Sequence, residues 1–585
     1  MSALTRILLI GNLLPLTRLI AVLIFLATSA KADFINTTNA DRAPTIAKIS
    51  ISGQQIHLHL EIAPESRSAF APLIPVSWPD NPDPASNLRQ RDVDDFSHRL
   101  FCLEVNGKPL RAKLTGAKAA ERSTLPSRPG NRYDPLTGTL LPAAPVDKRV
   151  YALDFTYDLT EKPQRLVVVP PMSGQAVLAN IGFAVDHMGV AINDFDYLGG
   201  PEPIELNWQD PWYSRFENPN IARRFKYPFM SFLYIEPFEI RHEILVRLKD
   251  LRRFLKVEVT EKSGADMIPL ALRFLRANTL VVADGRTIPI ESEQINYVEI
   301  DRSTMQTLKK DAVIDENTAV LGIIFVYGAK NFPGSVMLDW NIFDERLKEV
   351  PAVIIDPAGS YTFALNTTDH TLTWNNARKH MSSADLQGVR SPALRDALMP
   401  LLLSMMATAV LSILIWRYLR RRPARLAAMV VVTAMVALAF YIYQPKSNNP
   451  EENAESRHLM AALLRNMYRA FDFRGETEVY DKLARTLSET ILADVYLAQR
   501  QALMIEKAGG ATAKVQSVAI RSVMPVSRKI SHPSYQVVWD VTGTVGHWGH
   551  VHVRTNRYEA MIRLISNDGY WKIDGLDVLS EDRLQ

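Results

Sequence analysis

Two uncharged apolar runs, 397–416 and 426–443, flank a nine-residue segment, 417–425, that holds five arginines. About 20 apolar residues suffice to cross a hydrocarbon core of about 30 Å, and short arginine-rich loops stay on the cytoplasmic side. Trp416, Tyr418, Tyr441 and Tyr443 stand at the run ends, where aromatic rings favour the membrane interface. The pattern predicts a two-helix transmembrane hairpin in the inner (cytoplasmic) membrane: transmembrane helices at 397–416 and 426–443, joined by the cytoplasmic basic loop 417–425. Both large flanking regions then lie on the periplasmic side. Nine cytoplasmic residues are too few for an enzyme or a nucleotide site, so neither nucleotide nor nucleic acid is expected as a partner.

Residues 1–32 carry the three-part pattern of a secretory signal peptide. Arg6 and Arg18 supply charge, Leu19 to Leu26 is apolar, and Ala30-Lys31-Ala32 offers a small-x-small cleavage site. An uncleaved anchor is the alternative. The chain of 585 residues is 47% hydrophobic and 22% charged, the composition of several globular units rather than of a disordered chain. A net charge of +4 gives no case for nucleic-acid binding. Cys102, the one cysteine, leaves no internal disulfide and no thiolate zinc site, and Leu100-Phe101-Cys102-Leu103 reads as strand core.

From residue 33 to 390 the signals are short strands and turns, an N-terminal all-β region of tandem β-sandwiches at 33–185 and 235–390. Ile49 to Leu60 reads as two strands about Gly53. In the second unit Ile240, His242, Ile244, Val246 and Leu248 alternate with Arg241, Glu243 and Arg247, the pattern of a strand. Between the units, 186–234 is an aromatic-rich connector in which Trp208, Trp212 and Tyr213 are followed by Arg215, Arg223, Arg224 and Lys226. Such a mixture is common in partner-binding surfaces and also makes sugar platforms; the plainer reading is that the rings pack between the sandwiches. His57 and His59 project from one face of a strand, as metal binding would require. Arg241-His242-Glu243 is not a zinc-protease motif, because Val246 stands where the second histidine belongs.

Residues 446–585 change character to an α+β pattern. Met460, Leu463, Leu464, Met467, Tyr468 and Phe471 recur at helical spacing, and a longer second helix is predicted from Tyr480 to Ala498. Strands follow, and Asn567-Asp568-Gly569 marks a hairpin turn. This order, ending in Asp568-Gly569-Tyr570-Trp571-Lys572-Ile573, resembles the NTF2-like superfamily over about 130 residues. The resemblance implies a curved antiparallel sheet with a cavity on its concave side. A position after a transmembrane helix is similar to the arrangement of VirB8-like assembly components. The fold also hosts small-molecule enzymes, and no catalytic motif of theirs is present here.

The chemistry-bearing stretch is 546–558. On a strand, His550, His552, Arg554, Asn556 and Tyr558 share one face, with His547 just before a glycine-containing bend. Three histidines without cysteine suit copper or zinc; Arg554 with protonated histidine suits an anion; a polar network anchoring the helices is the structural alternative. The sequence as a whole reads as a membrane-anchored periplasmic accessory or assembly protein that binds partner proteins, with metalloenzyme maturation as a specialisation. The alternatives are a small-ligand binder or enzyme using the C-terminal cavity, and envelope-carbohydrate binding by the sandwiches.

Overall fold

A computed structural model of the chain describes residues 32–33, 38–81, 88–122, 132–133, 140–141, 147–257, 264–302, 304–308, 312–329, 331–377, 386–391, 450–473, 475–497, 512–527 and 532–584, with single positions between 406 and 417. Among these, no helix is long and apolar enough to cross a membrane. The expected transmembrane hairpin, and the inner-membrane location that rested on it, are corrected accordingly. The one described helix of membrane length, Pro450–Arg469, carries Glu451, Glu452, Glu455, Arg457 and Arg465 and turns its apolar residues to a protein core. Most of 397–443, including 418–425 of the five-arginine segment, and residues 1–31 of the expected signal 1–32 lie outside the described residues.

The chain is chiefly β. Strands β1 (Thr45–Ile51), β2 (Gln55–Ile62), β3 (Cys102–Val105), β4 (Ala112–Glu121), β5 (Arg149–Asp158), β6 (Arg165–Val169), β7 (Ile181–His187) and β8 (Glu202–Glu205) build the first unit. The long members of its seven-stranded sheet run in the order β7-β1-β2-β5-β4, with β7 and β1 parallel. A second sheet holds β8-β6-β3. Ile49, Leu58 and Phe155 of the first sheet and Leu103, Leu166 and Ile204 of the second meet in one core, a sandwich of the expected kind. Cys102 is buried at the edge of this core, and burial pushes its thiol up to about 11.

The second unit contains β9 (Phe229–Glu236), β10 (Glu239–Arg247), helices α1 (Leu248–Leu255) and α2 (Gly264–Ala277), then β11 (Thr279–Ala283), β12 (Ile290–Ile300), β13 (Val320–Gly328), β14 (Ser335–Trp340), β15 (Glu349–Asp356), β16 (Gly359–Asn366) and β17 (Thr371–Asn375). An eight-stranded sheet runs β12-β13-β10-β9-β15-β16, closed beyond β12 by two short strands. A four-stranded sheet containing β11-β14-β17 covers one of its faces. Ile240, Ile244, Leu321 and Ile323 from the large sheet pack with Val281, Leu338, Trp340 and Trp374 from the small one, and with Leu251, Met267 and Leu275 from the helices.

The third unit places α3 (Pro450–Arg469) and α4 (Glu476–Ala484) on a five-stranded antiparallel sheet, β18-β22-β21-β20-β19. Its strands are β18 (Val389–Arg390), β19 (Thr512–Ser527), β20 (Ser534–His547), β21 (His550–Asn567) and β22 (Tyr570–Arg583). Tyr558, Ala560, Ile562 and Leu564 face the helices, as the alternation predicts. Asp568 and Gly569 both have positive φ, 50° and 80°, in the β21–β22 turn, the conformation that Asp-Gly favours in a tight hairpin. The predicted long second helix is interrupted: a turn at 485–486 follows α4, Leu487 bridges Ile573, and helix resumes at 489. Ser488 N–H donates to the Ile573 carbonyl and Ile573 N–H to that of Thr486, both backbone pairs lying within 2.9 Å. Backbone bonds to the sheet thus replace helical ones. β18 comes from the far side of 392–449, so two distant chain segments complete this unit. Leu386 joins its core, and the Leu386 carbonyl accepts from Arg485 at 2.7 Å.

Candidate functional site

Arg241, Glu243 and Arg247, the charged residues of the alternation along β10, are 3%, 0% and 1% exposed. The reason is that the large sheet is covered on both sides. Over the face opposite the small sheet lie two pieces of remote chain: the connector, through Trp212 and Phe225, and the β20–β21 hairpin tip, through Trp548. All three join Phe232, Tyr234, Leu245 and Ile324 in a second core.

The tip is a two-residue turn in which Trp548 and Gly549 have φ of 48° and 75°. Tryptophan in the left-handed region costs about 1–2 kcal/mol relative to the right-handed one, and turns of this type ordinarily carry Asn or Gly. The conformation is held by what it touches. The Trp548 indole packs over Gly322, where a side chain would collide with it, and Gly549 lies so close to the Phe232 ring that no Cβ fits. The Trp548 amide donates to the Glu243 carboxylate. Gly549 N–H donates to the Tyr234 hydroxyl at 2.9 Å, and an Arg241 Nη–H donates to the Gly546 carbonyl at 3.3 Å. Arg241 itself pairs with Glu243, two residues along the same strand face, at 3.1 Å, and its guanidinium lies 4.5 Å over the Tyr234 ring.

The end of the β9–β10 hairpin is gripped separately. Lys514 of β19 pairs with Glu236 at 2.9 Å, and Phe238, at φ 64°, stacks on Phe473 at 4.8 Å between ring centres. Burial acts on every charge in this seam. It pushes Glu243 up to about 7, because Arg241 and the Trp548 amide offset the desolvation only in part. Glu236 meets the same burial but faces both Lys514 and Arg241, and its pKa is lowered. On the other face of β10, burial drives His242 down to about 3; its Nε2 is 2.8 Å from Ser231 Oγ and its ring stands edge-on to Trp340.

The structure divides the candidate face of β21 in two. His547 and His550 are opposed residues flanking the tip, and His552 is opposite Val545; the three side chains lie outside the described residues, and with them the copper or zinc reading. Asn556 and Tyr558 stand six and eight residues from His550, about 20 and 26 Å along a strand, inside the third unit. There the Asn556 amide donates to Glu581 at 3.0 Å and to the Tyr558 hydroxyl at 3.3 Å, while Tyr558 O–H donates to Glu581 at 3.0 Å. Burial raises the Glu581 pKa, and Arg554 pulls it back.

The connector aromatics do not form a platform. Trp212 is 8% exposed and lies between Arg223 and Arg247, whose guanidinium carbons are 4.1 and 4.7 Å from its ring centre. Trp208 meets His187 edge-on at 4.4 Å and donates to the Pro163 carbonyl at 2.7 Å. Tyr213 is 41% exposed and donates to Asp250 at 2.8 Å. Arg247 pairs with Asp210 at 2.7 Å and Asp250 at 3.0 Å. Arg302 of the second unit reaches Asp186 of the first at 2.8 Å and the Val185 carbonyl at 2.9 Å. A cleft of about 370 Å³ runs along this seam, lined by Asp194, Trp212, Arg223, Arg224, Arg302 and Val190 among others. His59, singled out with His57, lies 2.6 Å from Asp154 and 3.4 Å from Glu61, and its pKa is raised, chiefly by Glu61. Among the described residues no group of three His, Cys, Asp or Glu side chains is placed to hold a metal ion.

Sequence reasoning missed Tyr234, Arg241, Glu243 and Trp548 as one cluster. Its local signal was a tryptophan in the Gly-His-Trp-Gly turn, where Asn or Asp is the ordinary choice. No family model matches the chain, and no curated protein matches it. Among solved structures it is similar to the crystal structure of the intermembrane space region of chloroplast protein ARC6, at 14% identity and a TM-score of 0.17, over 21% of this chain and 96% of that one.

Proposed function

We propose that this chain is an accessory scaffold that binds partner proteins and catalyses no reaction of its own. The observation that carries the reading is the seam centred on Trp548. The residues best suited to recognition, the connector aromatics and the hairpin tip, are used to fasten three β units to one another. Association with buried aromatic anchors and few rotatable joints gives a preorganised framework, which favours binding of large partners. The helix-then-sheet order of the third unit supports an NTF2-like reading, in which the Asn556–Tyr558–Glu581 network lies on the helix-facing side.

The test is affinity recovery of the full chain from its own cells after mild cross-linking, wild type beside Trp548→Ala. A partner recovered in stoichiometric amount with wild type and lost with the variant is the expected result. A wild-type chain recovered alone, and stabilised against heat by a small-molecule fraction of the same cells, would overturn it. A small-ligand role has one specific observation in its favour: Asn556 is 7% exposed and its Oδ1 has no hydrogen-bond partner. In that case Asn556→Ala should abolish the thermal shift.

A further inference from the structure

Long sheet edges are ordinarily defended by charge, proline or bulges, because their unpaired backbone groups recruit other strands. Four long edges here follow the rule. β4 has Lys113, Lys118, Glu121 and a register shift at Leu114/Gly116. β12 carries Glu291 and Glu293 where it outruns its short neighbour. β19 has Arg521, Pro525 and three register shifts. β22 presents Lys572, Asp574 and Asp577 beyond its two-residue contact with β18. β16, Gly-Ser-Tyr-Thr-Phe-Ala-Leu-Asn, ends the eight-stranded sheet without a charge, a proline or a shift in register. Its first six residues are exposed, and Tyr361 and Phe363 are each 41% accessible.

We infer that β16 is a self-association edge, pairing antiparallel with β16 of a second copy about a two-fold axis at Thr362. The occupant follows from the strand's own sequence. An isologous contact must be self-complementary, and an uncharged strand meets no like charge in its copy. With Thr362 on the axis, Thr362 opposes Thr362 of the second copy and each Tyr361 opposes a Phe363. Threonine pairs and aromatic pairs are among the favourable cross-strand neighbours. A shift of one residue would set the aromatic face of one strand against the opposite face of the other. Tyr361 and Phe363 lie on the core side of the sheet, opposite Ile354 and Ala352 of β15, so the pairing would extend the apolar layer of each copy into the other. The inference goes beyond the scaffold reading and does not depend on it.

Sedimentation velocity of the purified full chain over a wide concentration range tests the idea, wild type beside Thr362→Lys. A reversible dimer is expected for wild type, weakened at least about tenfold by two lysines opposed on the axis. In parallel, Thr362→Cys should form a disulfide-linked dimer under mild oxidation and Ser360→Cys should not, a comparison that stands even if the lysine variant misfolds. Three results would overturn the proposal: wild type monomeric throughout, equal cross-linking at 360 and 362, or a monomer that instead takes an added extended peptide along this edge.

Discussion

The backbone amide of Trp548 donates its hydrogen to the carboxylate of Glu243, joining positions 305 residues apart inside a seam that excludes water. Around this bond the indole fills the space above Gly322, and Arg241 neutralises the carboxylate from the same strand. The third unit is therefore fastened to the second by a turn whose conformation is costly alone and stable only when seated.

Removing the indole should release that seat. Trp548→Ala is expected to cost about 3–5 kcal/mol, the usual range for a buried tryptophan, and Gly322→Val should act similarly from the opposite side by occupying its space. Differential scanning calorimetry should show the third unit melting separately in both variants. A single unchanged transition would show that the seam does not couple the units.

The seam should respond to pH through Glu243. Its pKa is raised from 4.5 to about 7 in the seated state, so that state holds the proton more tightly than the released one. Seating therefore weakens as pH rises from about 4.5 to 7 and is level above. The groups facing this carboxyl are Arg241, Tyr234, Glu236 and the Trp548 amide. His242 has the opposite sign: lowered from 6.5 to about 3, it costs stability as pH falls through 6.5. The two partly cancel in the wild type, so the comparison is with Glu243→Gln. Between pH 5 and 7 the wild type should lose up to about 3 kcal/mol relative to that variant, read from paired melting curves. Parallel curves would count against the assignment.

Arg247 is a buried cation shared by Asp210 and Asp250. Arg247→Ala leaves Asp210 buried without its main partner and should cost about 3–5 kcal/mol, whereas Arg247→Met with Asp210→Leu should cost much less. Chemical denaturation of the two variants side by side measures the difference.

Arg302 spans the first seam. Its loss leaves the Asn193 and Val185 carbonyls and the Asp186 carboxylate without this donor, at a cost of about 1–3 kcal/mol. Arg302→Ala should speed limited proteolysis in the connector between Asp194 and Phe229 without changing cleavage in the third unit.

What the sequence made legible was local. The Asn567-Asp568-Gly569 turn, the helix-facing row Tyr558, Ala560, Ile562 and Leu564, and the paired-sheet character of the first two units all follow from neighbouring residues. The burial of the polar row Arg241, Glu243, Arg247 was not legible, because alternation reports a second face without saying whether distant chain covers it. The predicted long helix after Tyr480 was broken by Ile573, 86 residues beyond Leu487, whose backbone outcompetes helical bonding there. Of the candidate face on β21, Asn556 and Tyr558 lie inside the third unit, whereas the side chains of His550 and His552 lie outside the described residues.

The two-residue strand β18 and Leu386 belong to the same packed unit as α3, which begins 60 residues after the end of β18. The chain therefore departs from and returns to one platform, leaving by β18 and coming back by α3. Cutting the chain just before α3 would free the return but strip the platform of an edge strand and a core leucine. A fragment starting there is expected to be a damaged body rather than a module.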